Sequence, residues 1–332
     1  MASRPTARIL EIQRMSTEDG PGIRTTVFFK GCSLKCKWCH NPESISMQPQ
    51  VYWIGSRCLG CKTCMDVCQS NALSHTEAGV EINRSACTGC GACAKECPGA
   101  AMELLGKEWT LDDLTKEVVK DKAYFEKSGG GITVSGGEPG MQAAFVGMLL
   151  KSLRERGIHT ALDTCGLCST EALNQLLPYS SMVLYDFKEI DSENHKKFTG
   201  EHNDRILGNL LYLAEYVKSH IYPASLWIRT PMIPGMTARE ENISGIGRFI
   251  AENLGDVVNR WELCAFNNLC KDKYLRLGEE WVLRDELLLQ KESMEQFARI
   301  AGASGINPDI VVWTGATRLE EKPFRENRSA AN

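Results

Sequence analysis

The cysteines of this chain are concentrated in one stretch of sequence. Fifteen occur among 332 residues, and eleven of them fall between Cys32 and Cys97. Disulfides belong to oxidising compartments, whereas closely spaced cysteines in a reducing compartment commonly bind metal. Residues 1–20 mix arginines with acidic residues and contain no signal-peptide core, so we expect a cytoplasmic protein with metal-bound cysteines. The other four cysteines are Cys165, Cys168, Cys264 and Cys270.

The first group has the spacing Cys32-x3-Cys36-x2-Cys39. A cubane 4Fe–4S cluster held by these three thiolates would keep one iron without a protein ligand. An open coordination position can bind a small molecule, as it does on catalytic zinc. The spacing therefore predicts a catalytic cluster on these three residues. A zinc site completed by a fourth cysteine is the alternative that spacing alone leaves open.

Two longer cysteine runs follow, each with the spacing Cx2Cx2Cx3C. This is the pattern of bacterial two-cluster ferredoxins, in which the fourth cysteine of each run ligates the other cluster. Zinc sites rarely duplicate this arrangement, so zinc is the weaker alternative. We therefore expect residues 51–106 to form an inserted ferredoxin-like α+β domain with two auxiliary clusters. One cluster would use Cys58, Cys61, Cys64 and Cys97, and the other Cys87, Cys90, Cys93 and Cys68.

Outside this insertion, strand-like and helix-like segments alternate. Runs such as Ile23–Phe29 and Met182–Phe187 are rich in β-branched and aromatic residues, as buried strands are. Helix-like segments such as Gln142–Arg156 and Arg205–Lys218 lie between strands. The alternation predicts βαβ units, a parallel sheet and the α/β class. The other predicted strands are Gly131–Ser135, Thr160–Asp163, Leu226–Met232, Arg260–Phe266 and Asp309–Trp313, and the other helices are Thr110–Phe125, Thr170–Leu177, Glu240–Leu254 and Ser293–Ala303.

Polar motifs follow four of the predicted strands. Cys32 follows the first, and Ser135–Glu138, Asp163–Thr164 and Asp186–Lys188 follow three others. In a parallel barrel the chemistry collects at the C-terminal ends of the strands, so these motifs are expected to form one site. The structural alternative for each charged residue is a salt bridge at a strand end.

Several of these motifs carry a family resemblance. The Cx3CxxC spacing, with Trp38 before its last cysteine, is similar to the signature of the radical S-adenosylmethionine (SAM) superfamily. A wider set of motifs, spread over about Ile9 to Trp313, resembles the activating enzymes of glycyl-radical enzymes. The set consists of Asp19–Arg24 (DGPGIR), Phe28–Cys32 (FFKGC), Cys39–Glu43 (CHNPE), Gly129–Gly131 (GGG) and Ser135–Pro139 (SGGEP).

The resemblance implies an oxidoreductase with a partial parallel (β/α)6 TIM-like barrel. Residues 1–50 and 107–320 would form the two parts of the barrel, and residues 321–332 a flexible tail. The enzyme would cleave SAM reductively to methionine and a 5′-deoxyadenosyl radical, which takes hydrogen from a backbone glycine of a glycyl-radical enzyme. It would carry three 4Fe–4S clusters and receive electrons from a low-potential donor such as ferredoxin or flavodoxin.

The resemblance also assigns residues around SAM. Gly136, Gly137 and Glu138 would meet its amino end, with Glu138 accepting from the ammonium. A monovalent cation is expected near Asp163 and Asp186. Many relatives have a histidine where this chain reads Leu263–Asn267 (LCAFN), so that contact is either taken by the amide of Asn267 or lost. The other expected SAM contacts are Trp38, His40, Asp163, Asp186, Phe187, Lys188 and Arg229.

Composition excludes some partners and leaves others open. The net charge of −4 and pI near 6.0 imply no polycationic surface for nucleic acid or anionic lipid. No apolar run approaches the roughly 20 residues of a membrane span. Two alternative functions remain: a radical SAM enzyme acting on a small molecule or another peptide, and a ferredoxin-type electron carrier built on the insertion.

Overall fold

The computed structural model describes residues 5–318 and is built on one nine-stranded sheet. The strands of the chain are β1 (Thr6–Ser16), β2 (Arg24–Phe29), β3 (Gln50–Trp53), β4 (Leu73–Thr76), β5 (Gly79–Ile82), β6 (Met102–Leu105), β7 (Lys107–Thr110), β8 (Gly131–Gly136), β9 (His159–Thr164), β10 (Met182–Asp186), β11 (Ser225–Met232), β12 (Val258–Ala265) and β13 (Val311–Thr314). The order across the main sheet is β13-β12-β11-β10-β9-β8-β2-β1-β7.

The parallel sheet predicted from the alternation is confirmed. Strand β2 pairs parallel with β8, and β8 to β13 are all parallel to their neighbours, which makes seven parallel strands, as many as the predicted strand segments and one more than a (β/α)6 barrel has. The last of them, β13, corresponds to the predicted strand Asp309–Trp313 and pairs with β12 from Trp261 to Cys264. Strands β1 and β7 extend the other edge in the antiparallel sense. The order ends at β13 and β7, so the sheet is open.

The described part of the chain forms eleven α-helices, most of which pack on one face of this sheet, while the first two lie within the insertion and the tenth lies beside Cys39. They are α1 (Thr63–Asp66), α2 (Ala92–Lys95), α3 (Leu111–Val118), α4 (Lys122–Ser128), α5 (Ala143–Arg154), α6 (Thr170–Leu176), α7 (Ser192–Thr199), α8 (Asp204–Ser219), α9 (Glu240–Phe249), α10 (Lys271–Leu277) and α11 (Lys291–Gly302). Successive side chains of a strand point to opposite faces. In β11, Leu226 and Ile228 are fully buried in the core shared with the helices, whereas Trp227 and Arg229 lie on the opposite face.

The helix predicted over Thr110–Phe125 is wrong as a single element. It begins as expected, with Thr110 Oγ1 accepting from Asp113 N at 3.2 Å, but a short 3-10 turn at Val119–Asp121 divides it. The buried Asp121 carboxylate accepts from Thr25 Oγ1 at 2.7 Å. This tie to β2 holds the turn in place, and only the tertiary structure supplies it.

Residues 50–105 begin and end in two strands that pair with each other. Strands β3 and β6 pair antiparallel, with Gln50 opposite Leu105, and β4 and β5 form a separate hairpin. Helix α1 lies within the first cysteine run and α2 within the second. A small core holds these pieces together. Its buried members are Val51, Cys64, Val80, Cys93 and Met102.

The sequence also predicted a flexible tail at the C-terminal end and contains no apolar run long enough for a membrane span. The expected tail, residues 321–332, lies outside the described residues. Within residues 5–318, no helix is both long enough and apolar enough to span a membrane.

Candidate active site

The first cysteine motif forms a loop directly after β2. Cys32 N donates to Ile45 O at 3.0 Å, which ties the start of the loop to the segment that follows it. Cys39 N donates to Cys36 O at 3.0 Å and closes a tight turn between these two ligand candidates. The backbone therefore holds three half-buried thiols on one short loop.

All three thiols line one cavity of about 280 Å³ at the C-terminal ends of the strands. The structure thus brings together most of the residues that the sequence singled out. Those in the cavity wall are Cys32, Cys36, Trp38, Cys39, His40, Gly136, Gly137, Asp163, Asp186, Lys188 and Arg229. Cys165 and Cys264, to which the sequence assigned no role, line it as well.

Two ion pairs organise the polar wall of this cavity. Lys188 Nζ donates to Asp186 Oδ2 at 2.6 Å, and Arg229 Nη1 donates to Asp163 Oδ1 at 3.3 Å. Ser135 Oγ donates to the other oxygen of Asp163 at 2.6 Å. Burial raises the pKa of Asp163 to about 6, although Arg229 opposes the shift. Burial lowers the pKa of Lys188, but Asp186 and the nearby thiols raise it more, so the ammonium stays charged.

The two glycines after β8 are required by close backbone contacts. A Cβ atom at Gly136 would lie 2.3 Å from Phe29 N, and one at Gly137 would lie 2.1 Å from Gly31 O. Gly136 also has φ of +111°, which L side chains rarely adopt. The structure therefore explains both glycines by packing against β2 and the start of the cysteine loop, and their expected contact with SAM stays a prediction.

Glu138, which the resemblance assigned to the SAM ammonium, is held by hydrogen bonds within the protein. It is fully buried and does not line the cavity. Its Oε1 accepts from Gly140 N at 2.9 Å and from Thr164 Oγ1 at 2.8 Å, and its Oε2 accepts from Cys165 N at 2.9 Å. Glu138 thus links the loops after β8 and β9, and its expected contact with the SAM ammonium stays a prediction.

Phe187 and Asn267 also lie outside the cavity wall. Phe187 is buried in the main core, where its ring meets Phe249 edge to face with centroids 5.3 Å apart. Asn267 Oδ1 accepts from Leu269 N at 3.2 Å, while its carbonyl lies 3.1 Å from His40 Nε2. Their expected contacts with SAM stay predictions.

Sequence reasoning missed the helix that braces the cysteine loop. Tyr274, on α10, donates to Cys39 O at 2.9 Å, and Trp281 Nε1 donates to Lys37 O at 2.8 Å. Their rings stack with centroids 5.2 Å apart. Buried aromatic residues with polar atoms commonly find hydrogen-bond partners. Tyr274 and Trp281 stand in an otherwise charged stretch, and this contrast was the sequence signal that could have indicated the helix.

The cysteines of the insertion fall into two groups. Cys58, Cys61, Cys64 and Cys97 line one small cavity of about 20 Å³. The pKa of Cys93 is raised to about 11 by burial first, and further by the thiols of Cys87, Cys68 and Cys90. Each group thus joins three cysteines of one run to the last cysteine of the other.

These donor sets fit iron–sulfur clusters by their chemistry. Thiolates are the ligands of such clusters, and three around a cavity leave room for a small molecule at the fourth iron. Arg229 Nε, in the cavity wall, is buried without a hydrogen-bond partner among the described residues, and it lies 3.8 Å from Glu262 Oε2. Across residues 5–318, no three His, Cys, Asp or Glu side chains are placed to hold a single metal ion.

Comparison with known proteins identifies the family. The sequence profile of the Radical SAM superfamily matches residues 26–244. The isethionate sulfite-lyase activating enzyme of Oleidesulfovibrio alaskensis is 37% identical over 303 residues, which cover 90% of this chain and 95% of that protein. The (2S)-3-sulfopropanediol dehydratase activating enzyme of Klebsiella oxytoca is 38% identical, covering 86% of this chain and 90% of that one.

The chain belongs to the radical SAM superfamily, among the activating enzymes of glycyl-radical enzymes. A radical SAM methyltransferase from Sphaerobacter thermophilus shares the fold, with a TM-score of 0.50 and 13% identity over 94% of this chain and 77% of that one. This activating enzyme therefore cleaves SAM reductively, and the radical formed takes hydrogen from a backbone glycine of a partner enzyme. The electron-carrier alternative does not account for the match to the barrel.

Proposed function

We propose that this activating enzyme holds its catalytic cluster on Cys32, Cys36 and Cys39 and binds SAM against the strand ends beside it. One observation carries the proposal: the three thiols share a cavity with the ion pairs at the ends of β9, β10 and β11. When bound, the cluster supplies an open iron for SAM and the electron that breaks the sulfonium. The chain itself binds and orients the substrate.

The charged residues would orient the polar end of SAM. The Lys188 ammonium and the Arg229 guanidinium, whose Nε makes no hydrogen bond among the described residues, would attract its carboxylate. Their pairing with Asp186 and Asp163 holds both cations in place before SAM binds. A monovalent cation near the two aspartates is part of the proposal. Lys188 and Arg229 already balance these carboxylates, so we expect the cation to assist binding and not to be required.

Asp163→Ala and Asp186→Ala should each weaken SAM binding without loss of iron. Each change removes a charge-assisted contact that positions Arg229 or Lys188, at a cost of about 1.5 to 3 kcal/mol, or more than tenfold in Kd. The measurement is calorimetric titration with SAM, beside an iron assay. Asp112→Ala, at an exposed position on α3, is the matched control. Wild-type affinity in both site variants would mean that these carboxylates only form structural salt bridges.

We further propose that the insertion carries two auxiliary clusters. The cavity shared by Cys58, Cys61, Cys64 and Cys97 supports one of them, and the grouping of Cys93 with Cys68, Cys87 and Cys90 supports the other. The pairing across runs matches the two-cluster ferredoxin pattern, which gives the insertion its expected ferredoxin-like character.

Anaerobic reconstitution should load about twelve irons per chain, since each of three cubanes holds four. Iron and sulfide assays on the full chain measure this number. Cys97→Ser should remove the cluster that Cys58, Cys61 and Cys64 share, and leave about eight irons. A full complement near eight in the unmodified chain would contradict one cluster assignment.

The proposed protein substrate is a glycyl-radical enzyme, and the proposed electron source is a low-potential ferredoxin or flavodoxin. The names of the relatives support a partner of this class, because each is an activating enzyme of a separate lyase or dehydratase. The test is incubation of the reduced enzyme and SAM with candidate glycyl-radical enzymes, read by electron paramagnetic resonance. A glycyl radical on one candidate is expected. SAM cleavage without a radical on any candidate would favour a small-molecule or peptide substrate.

A further inference from the structure

Four exposed lysines lie on two segments that meet at the cysteine loop. Lys35 and Lys37 flank Cys36 in the loop, and Lys196 and Lys197 lie in the last turn of α7. All four are exposed, whereas Cys36 between the first two is half-buried. We name these four residues the lysine face.

Backbone hydrogen bonds join the two segments. Lys35 N donates to Thr199 O at 2.7 Å, and Lys37 N donates to Phe198 O at 3.0 Å. The ring of Phe198 also meets that of Trp38 edge to face, with centroids 6.5 Å apart. The end of α7 is therefore fixed against the cysteine loop, and its lysines extend the charge of that loop.

The charge of the lysine face is not neutralised within the described part of the chain. None of its four ammonium groups has a carboxylate oxygen within 4.0 Å among residues 5–318. Glu193, also on α7, lies 3.9 Å from His202 instead, and Asp191 caps the helix by accepting from Asn194 N at 2.8 Å. Because the chain as a whole carries −4, this local excess of positive charge stands out.

We propose that the lysine face docks an acidic low-potential electron-transfer protein, of the flavodoxin or ferredoxin class, which reduces the catalytic cluster directly. The inference rests on the proposed function and adds the surface at which electrons arrive. Complementary charge steers a protein partner to a surface and orients it there. A donor seated on these lysines lies next to Cys36, so the electron need not pass through the insertion.

The electron balance is simple. The reduced donor loses one electron to the catalytic cluster. That electron then goes to the sulfonium of SAM, where the bond from sulfur to the 5′ carbon breaks into methionine and the 5′-deoxyadenosyl radical. The donor is left oxidised by one electron, and no other oxidant or reductant is needed.

The test is the double change Lys196→Glu/Lys197→Glu in the full, reconstituted enzyme. Lys35 and Lys37 stay native because they lie between cluster ligands. At low ionic strength the Kd for reduced flavodoxin should rise at least about tenfold, and cluster reduction by flavodoxin, followed by paramagnetic resonance, should slow accordingly. The difference should shrink at high salt. Cleavage of SAM driven by dithionite should be unchanged, because a small reductant needs no docking surface.

Lys116→Glu/Lys127→Glu is the matched control, with the same change in net charge at exposed positions in the last turns of α3 and α4, far along the chain from any cluster cysteine. It should keep wild-type affinity for flavodoxin. Equal weakening in both double variants would overturn the proposal, since only total charge would then matter. Unchanged flavodoxin affinity in Lys196→Glu/Lys197→Glu would overturn the proposal too, even if this variant bound the glycyl-radical enzyme more weakly.

Two further measurements separate the possible failures. If Lys196→Glu/Lys197→Glu folds poorly by circular dichroism, Lys196→Gln/Lys197→Gln replaces it and should give a smaller rise in Kd. Absence of dithionite-driven SAM cleavage in the unmodified enzyme would contradict the proposed function and not the docking surface. Normal cleavage with dithionite and unaltered flavodoxin binding would contradict the docking surface alone.

Discussion

Cys39→Ala is expected to abolish SAM cleavage even with a strong chemical reductant. Cys39 is one of the three thiols around the cavity, and its backbone is fixed by hydrogen bonds to Cys36 and Tyr274. Without it, two protein ligands remain where an open-iron cluster needs three. The measurement is 5′-deoxyadenosine formed with dithionite and with reduced flavodoxin. Retained cleavage would contradict the assignment of the catalytic cluster.

Cys61→Ala is the informative comparison. Cys61 is exposed and lies in the insertion, away from the catalytic cavity. If donors dock at the lysine face, cleavage should survive with both reductants in a protein that circular dichroism shows to be folded. A loss confined to flavodoxin would mean that electrons pass through the insertion, contrary to direct docking. Equal loss with both would mean that the auxiliary cluster supports the fold or the cleavage itself.

Gly137→Ala should produce the second large effect, on both stability and chemistry. Its added Cβ would lie 2.1 Å from Gly31 O, in a backbone contact that cannot move without shifting the cysteine loop. Overpacking of this kind costs about 1 to 3 kcal/mol of unfolding free energy. We expect that loss in denaturant unfolding, together with strongly reduced SAM cleavage, because the loop that carries the ligands is displaced.

Gly208→Ala is the matched control for this substitution. Gly208 lies inside α8, and a Cβ there meets nothing within 4 Å. Alanine is the better helix former by about 1 kcal/mol, so the control should be neutral or slightly stabilised and fully active. Equal destabilisation in the two variants would contradict the claim that close packing requires glycine at position 137.

The agreement between sequence and structure is best where a pattern is local. Strands such as Ile23–Phe29 were predicted from runs of β-branched and aromatic residues, and the structure has β2 at Arg24–Phe29. Strand β1 was missed, because Arg8, Glu11 and Arg14 interrupt its apolar residues. Helix α10 was missed because its stretch carries more charged residues than apolar ones, and its role comes from contacts with the distant cysteine loop.

By itself, the sequence determined the chemistry available to this protein: three clustered thiols after a strand, two ferredoxin-type runs and polar residues at strand ends. Spacing and period are properties of neighbouring residues, so they can be read without a fold. Only the tertiary structure decided where side chains point once a strand has ended. It turned Glu138 inward to Thr164, buried Phe187 in the core, and joined α7 to the cysteine loop so that four exposed lysines lie on adjacent segments. Those outcomes depend on contacts between residues far apart in the chain, and no local pattern encodes them.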